Sequence, residues 1–184
     1  DEPLYTQNFP LKCGKGSAYE GGIREPMIVR WPGTVQPGTR CNDYLIIEDF
    51  YPSILEMAGI DDYDVPQEID GISFVPLLKQ TKNPSQGRSL YWNCPNIWGE
   101  KGPGIGPSCT IRKDNWKMIY FYETGEKELY DIPNDIEENN NVAALYPQII
   151  NKLSKELGKF LRQTNGQRPS FKKTGKPCPW PDEI

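Results

Sequence analysis

The chain has 184 residues, 21 Lys+Arg against 25 Asp+Glu for a net charge of -4, and no histidine. That length suits one ordinary domain with a buried core, and 17 Gly with 18 Pro make it loop-rich without reaching low complexity. Without His, a Ser-His-Asp triad, a Cys-His dyad and any His-containing zinc site are excluded within these residues; the charge balance argues against a nucleic-acid partner, and no apolar run is long enough for a membrane helix.

In chain order, residues 1–26 carry many glycines and little periodicity and read as loop. Met27-Ile28-Val29-Arg30-Trp31 is a short apolar run closed by Pro32-Gly33, which predicts a buried strand with a hard stop. Ile47, Phe50, Tyr51, Ile54, Leu55 and Ala58 then fall at helical spacing, with Gly59 where a C-terminal cap belongs. Pro52 is compatible with that helix if it starts near Asp49, since first-turn N–H groups have no partner within the helix. Residues 61–87 read as a connection interrupted by the apolar stretch 69–78.

From residue 88 the pattern changes to short β-rich runs at 90–92, 108–112, 116–122 and 127–130, joined by turn residues at 113–115 and 123–126, which predicts an antiparallel meander. An acidic, Asn-rich segment, Asp131 to Asn141, reads as a solvated linker. A last helix has Pro147 in its first turn and Ile149, Ile150, Leu153, Leu157, Phe160 and Leu161 on one face, which must cover one side of the meander. The Pro- and Lys-rich tail, Gln167 to Ile184, is either a wrapping extension or a loose end.

The five cysteines (Cys13, Cys41, Cys94, Cys109 and Cys178) contain no C-x-x-C pair, and fit either two disulfides with one thiol over or five buried thiols. The opening Asp1-Glu2-Pro3-Leu4 has no initiator Met, so processing or truncation upstream is expected. Gly14-Lys15-Gly16-Ser17 places a lysine between two glycines, where backbone can approach a ligand and an ammonium supplies a point charge. It fails as a nucleotide phosphate loop, because Gly16 follows the lysine and Phe9 stands where that loop needs glycine; an ordinary surface turn is the alternative. Residues 131–138 fail as an EF-hand, broken by Pro133 and Ile136. The stretch Tyr91-Trp92-Asn93-Cys94-Pro95-Asn96-Ile97-Trp98 suits either a sugar-binding wall or sheet packing.

The run from Asn8 to Pro26, centred on Gly14-Lys15-Gly16-Ser17-Ala18-Tyr19-Glu20-Gly21-Gly22-Ile23-Arg24, resembles the formylglycine-dependent (type I) sulfatases, arylsulfatase-like. The resemblance continues in collinear order through Ile28–Gly33, Asp49–Ile60, Asp70–Phe74, Pro76–Leu78, Ile111–Lys113, Trp116-Lys117 and Glu128–Asp131, and covers residues 8 to 165. In that family the nucleophile, a formylglycine made from a C/S-x-P-x-R motif, the calcium ligands and the catalytic histidines lie in the N-terminal half. No cysteine here has that context, so the chain resembles the C-terminal portion.

The resemblance implies one catalytic residue here, Lys15, matching the lysine that contacts the sulfate and the leaving-group oxygen. The candidate substrate contacts are Asn93, Asn96 and Trp98 of the aromatic stretch; relatives often carry histidines in place of the two asparagines, so either the substrate pocket differs or this copy has drifted from activity. The resemblance implies no cofactor in this chain, with calcium and formylglycine belonging to the complete enzyme. The implied partners are the N-terminal half of the sulfatase and a sulfate ester or sulfated carbohydrate, in a periplasmic, secreted or lysosomal setting. Tyr19, Glu20 and Arg24 are expected to support the loop.

The expected fold is α+β. Residues 1–87 are the end of the sulfatase α/β domain, with apolar surface left uncovered, residues 88–165 a four-stranded antiparallel sheet packed on a C-terminal helix, and 166–184 an extension. The alternative is a stand-alone, non-catalytic carbohydrate-binding or structural module derived from a sulfatase.

Overall fold

The structure, a computed structural model, describes residues 7–60, 62–97 and 102–184. By packing it divides into two compact units, Pro26–Arg88 and the remainder of the chain. The lysine loop, which the resemblance groups with residues up to 87, thus packs in the same unit as the sheet.

The larger unit is an antiparallel meander in the order β1 (Ser89–Cys94), β2 (Ser108–Lys113), β3 (Trp116–Phe121) and β4 (Lys127–Asp131). Its register sets Ile111 against Met118 and Met118 against Leu129. Because side chains alternate along a strand, that choice decides both faces. Tyr91, Cys109, Ile111, Met118, Tyr120 and Leu129 line one face, and helix α4 (Pro147–Gln163) covers it with Leu153, Leu157 and Leu161, none more than 2% exposed. Each such leucine stabilises the unit by about 1.5–3 kcal/mol through removal of apolar surface from water. Tyr91 stacks on Phe160 with ring centroids 3.8 Å apart.

Of the two readings of the tail, the structure shows the wrapping one. Cys178 and Trp180 enter the apolar core, the Tyr120 hydroxyl donates to the Pro179 carbonyl at 2.9 Å, and Arg168 lies over the Trp180 ring at 4.7 Å.

The smaller unit holds a 3-10 turn (Ile47–Asp49) running into α2 (Phe50–Met57), and α3 (Val75–Leu78). The α2 helix ends as its sequence predicts. Gly59 takes φ +70, its N–H donates to the Glu56 carbonyl, and the Ile60 N–H donates to Leu55, a Schellman closure.

Two expectations change. Residues 27–31 form no strand; Met27 is 42% and Ile28 97% exposed, because an extended segment becomes a strand only where a neighbour supplies ladder partners. The apolar stripe of α2 is also not its buried side: Ile47, Tyr51 and Ile54 are exposed, while Asp49 and Ser53 are fully buried.

That polar side is satisfied throughout. The Asp49 carboxylate accepts from Arg88 at 2.7 and 2.8 Å and from the Ile46 and Ile72 N–H groups. Ser53 donates to the Asp49 carbonyl and accepts from the Phe74 N–H. All five cysteines are free thiols, Cys109 and Cys178 buried, Cys41 and Cys94 exposed.

Candidate functional site

The face of the sheet opposite α4 is covered by the glycine-rich segment from Asn8 to Arg24, through a small apolar cluster of Tyr19, Ile119, Tyr130 and Ile132 and, beside it, a set of buried charges. The segment first closes on itself. The Asn8 N–H donates to Cys13 O at 2.8 Å, the Asn8 side-chain amide to Gly21 O at 2.7 Å, and the Gly21 N–H to Lys12 O at 3.1 Å.

Gly21 and Gly22 open the short helix α1 (Glu20–Ile23), and neither has room for a side chain. A Cβ on Gly21 would stand 2.3 Å from Cys13 O and 2.4 Å from Lys12 O, and one on Gly22 would stand 2.1 Å from Ser17 O. The main chain on either side of Lys15 therefore lies directly on the Gly21-Gly22 backbone, a crossing that only glycine permits. Ser17 ties the segment to the loop before β2 by donating to Pro103 O at 3.0 Å, and the Ala18 N–H donates to Gly104 O at 3.0 Å.

Beneath this crossing lies a cluster of buried charge. Lys117, on β3 and completely buried, donates to Glu20 Oε1 at 3.0 Å and stands 2.9 Å from Glu138 Oε1. Arg112 on β2 and Arg24 approach Glu20 Oε2 at 3.8 and 3.3 Å. Glu138 Oε2 accepts the Glu20 N–H at 2.6 Å.

Burial works against ionisation of both carboxyls, with different outcomes. For Glu20 the charges of Lys117, Arg112 and Arg24 outweigh burial and hold it below the usual carboxylate range. For Glu138 burial wins over Lys117 and pushes it up. Beside this cluster, Tyr19 and Tyr130 both donate to Glu128 Oε2, at 2.8 and 2.9 Å, and burial with the Glu128 charge raises both phenols.

The two lysines of the segment differ in what surrounds them. Lys12 is held inside: its ammonium donates to Glu138 O at 2.9 Å and stands 3.9 Å over the Tyr19 ring. Lys15 is exposed at the crest of the loop. Next to the loop a cleft of about 700 Å³ is lined by residues that include the exposed Phe9, Lys12, Pro103, Glu137 and Asn139; Lys15 is not among its lining residues.

The other site residues lie apart from this one. Asn93 sits on the α4 face of β1, opposite Cys109, where its amide donates to Gln167 O at 2.8 Å and accepts from the Tyr122 hydroxyl at 3.0 Å. It ties the tail to the sheet, across the sheet from the lysine loop. Asn96 is exposed just beyond β1. Trp98 lies outside the described residues.

Sequence reasoning expected Glu20 as a support but missed Lys117 and Glu138. A signal for Lys117 existed in the single charge inside the buried run Trp116-Lys117-Met118-Ile119-Tyr120. Glu138 had none, standing among acids that are mostly solvated. The segment read as a solvated linker is therefore buried at that one residue, and at Ile132.

Comparison with known proteins agrees with this architecture. Residues 13–164 match the family described as N-sulphoglucosamine sulphohydrolase, C-terminal. A sulfatase of Formosa agariphila is 29% identical over 96% of this chain and 34% of its own length, and human arylsulfatase K is 30% identical over 78% of this chain and 26% of its own. The crystal structure of Ps i-CgsB superposes with a TM-score of 0.72 at 29% identity, over 89% of this chain and 34% of that one; the same protein has been solved in complex with k-i-k-neocarrahexaose. The chain thus spans about a third or less of the length of the relatives it matches. A family match over most of the chain, with the four-stranded antiparallel sheet and its backing helix, makes the protein a member of the sulfatases, as a C-terminal portion of that family.

Proposed function

We propose that this chain is the part of a sulfuric ester hydrolase that presents Lys15 to the sulfate group, and that it turns over substrate only together with the N-terminal half. The observation that carries the reading is the mounting of Lys15, which stands exposed on a loop held from below by backbone crossing and buried ion pairs. Cleavage of a sulfate ester builds negative charge on the sulfuryl oxygens and on the departing oxygen, and a fixed cation there lowers the barrier. A lysine ammonium with three donors serves both atoms.

Formylglycine does not fit the residues present: no C/S-x-P-x-R motif occurs in the 184 residues. Calcium does not fit either, since no group of three His, Cys, Asp or Glu among the described residues could hold a metal. Both groups would be held in the N-terminal half. The exposed apolar residues of the smaller unit, Ile28, Ile47, Tyr51 and Ile54, support the same reading over a stand-alone module. Ile47, Tyr51 and Ile54 share one exposed apolar stripe, which suits a contact, and we assign that contact to the remainder of the sulfatase.

The test has two parts. The chain alone, given an aryl sulfate and calcium, should show no turnover above buffer, because the nucleophile is missing rather than weakened, and turnover there would refute the reading. In the complete enzyme, Lys15→Ala should lower kcat by about 10²–10³-fold, the scale of losing one charge-stabilising donor. A rate near wild type would remove Lys15 from the site.

A further inference from the structure

We propose that Glu138, together with Lys117 and Glu20, is a positioning device for Lys15, holding the lysine crest at both of its ends against the sheet. The inference rests on the sulfate-contacting role of Lys15, and it adds Lys117 and Glu138, both distant from Lys15 in sequence, to the expected support Glu20.

The geometry separates two tasks. The loop takes its shape from its own backbone, through the Asn8, Lys12 and Gly21 hydrogen bonds and the glycine crossing. None of those bonds fixes where the loop stands on the sheet. Ser17, Tyr19 and Glu20 each tie the segment to the sheet or its loops at one point, whereas Glu138 grips it twice. Its carboxylate accepts the Glu20 N–H at 2.6 Å, and its main-chain carbonyl accepts the Lys12 ammonium at 2.9 Å. Residues 12 and 20 bracket residue 15, so one residue of the segment after β4 holds both feet of the arch.

Lys117 anchors the grip to β3, within 3.0 Å of one oxygen on each carboxylate. Glu138 itself adopts φ +51, a left-handed conformation that a non-glycine residue holds only where its surroundings impose it. A purely stabilising role would be served by apolar packing, as on the α4 face. A buried ionic cluster adds little net stability but fixes geometry, which suits a charge that must meet an oxyanion within a fraction of an ångström.

The experiment uses the full chain and two variants of opposite faces. Glu138→Gln keeps shape and removes charge; Leu157→Ala weakens the α4 face without touching the loop. Amide exchange at residues 14–17 is compared with that at Ile119, and inorganic sulfate is titrated against the Lys15 amide signal. Glu138→Gln should speed exchange of residues 14–17 relative to Ile119 by about tenfold and weaken the sulfate response by a similar factor, while Leu157→Ala should speed Ile119 at least as much as residues 14–17 and leave the sulfate response unchanged. Equal behaviour of the two variants would overturn the positioning role.

A wild-type chain with no sulfate response would count against the sulfate reading alone, and the exchange ratio would still decide the clamp. Should Glu138→Gln not fold, Glu138→Asp, which keeps the charge and shortens the reach, takes its place with the same expected ordering. In the complete enzyme the substitution should lower kcat for an aryl sulfate with KM little changed, and an unchanged kcat would likewise overturn the proposal.

Discussion

The two faces of one small sheet are finished in different ways. Toward α4, Met118, Tyr120, Ile111 and Leu129 meet leucines in an apolar layer; toward the lysine loop, an apolar patch of Ile119, Ile132, Tyr130 and Tyr19 shares the face with the charges of Lys117, Arg112, Glu128, Glu20 and Lys12. The strands are shared, so the difference comes from what lies above them. An amphipathic helix brings a ready-made apolar stripe and stabilises by area. A glycine-rich loop has few side chains to bury and must be held by directional contacts, which stabilise less and specify more.

The sharpest way to break the comparison is to remove the central charge. Lys117→Met should destabilise the unit by about 3–5 kcal/mol, because two buried carboxylates lose their common partner; urea unfolding followed by circular dichroism measures it. A loss below about 1 kcal/mol would mean that water already solvates the cluster. On the other face, Leu157→Ala should cost about 2–5 kcal/mol through lost burial and the cavity it leaves. Its loss should be insensitive to salt and pH, whereas that of Lys117→Met should vary with both.

The smallest expected effect is in the pH profile. Glu138 is raised when folded, so as pH falls toward the ordinary glutamate value of 4.5 its protonation adds stability. Glu20 is lowered when folded, so its contribution is full above 4.5 and is lost as pH falls further. Glu156, held down against burial by Lys113 and Ser89, and Asp182, held down by Arg162, are lost in that same acidic range. Wild type should therefore gain slightly just above pH 4.5 and then lose. Glu138→Gln should lack the gain and keep the loss, and urea midpoints measured across the acidic range for both would show whether the shapes differ.

How legible these faces were in the sequence follows from the same contrast. Helix α4 and the four strands were readable because periodicity reports burial against a regular neighbour, and the run from Leu153 to Leu161 has no other use. Residues 27–31 were misread because apolar content alone does not say whether a ladder partner is at hand. The stripe on α2 was read correctly as a stripe, yet its helix buries Asp49 and Ser53 instead, since hydrogen bonds to Arg88 and Phe74 decide the inward side. The Gly14-Lys15-Gly16 loop stood out by resemblance to sulfatases, and Glu20, as expected of a support, lies in the ion pairs beneath it. Glu138 was not legible, because nothing in a run of acids marks the one whose carboxylate meets a backbone N–H 118 residues away in sequence.

The seating of the Lys12–Ser17 main chain on Gly21 and Gly22 has a practical corollary. A single methyl group added at position 21 or 22 would have nowhere to go, so either change would unseat the whole loop and carry Lys15 out of place with it.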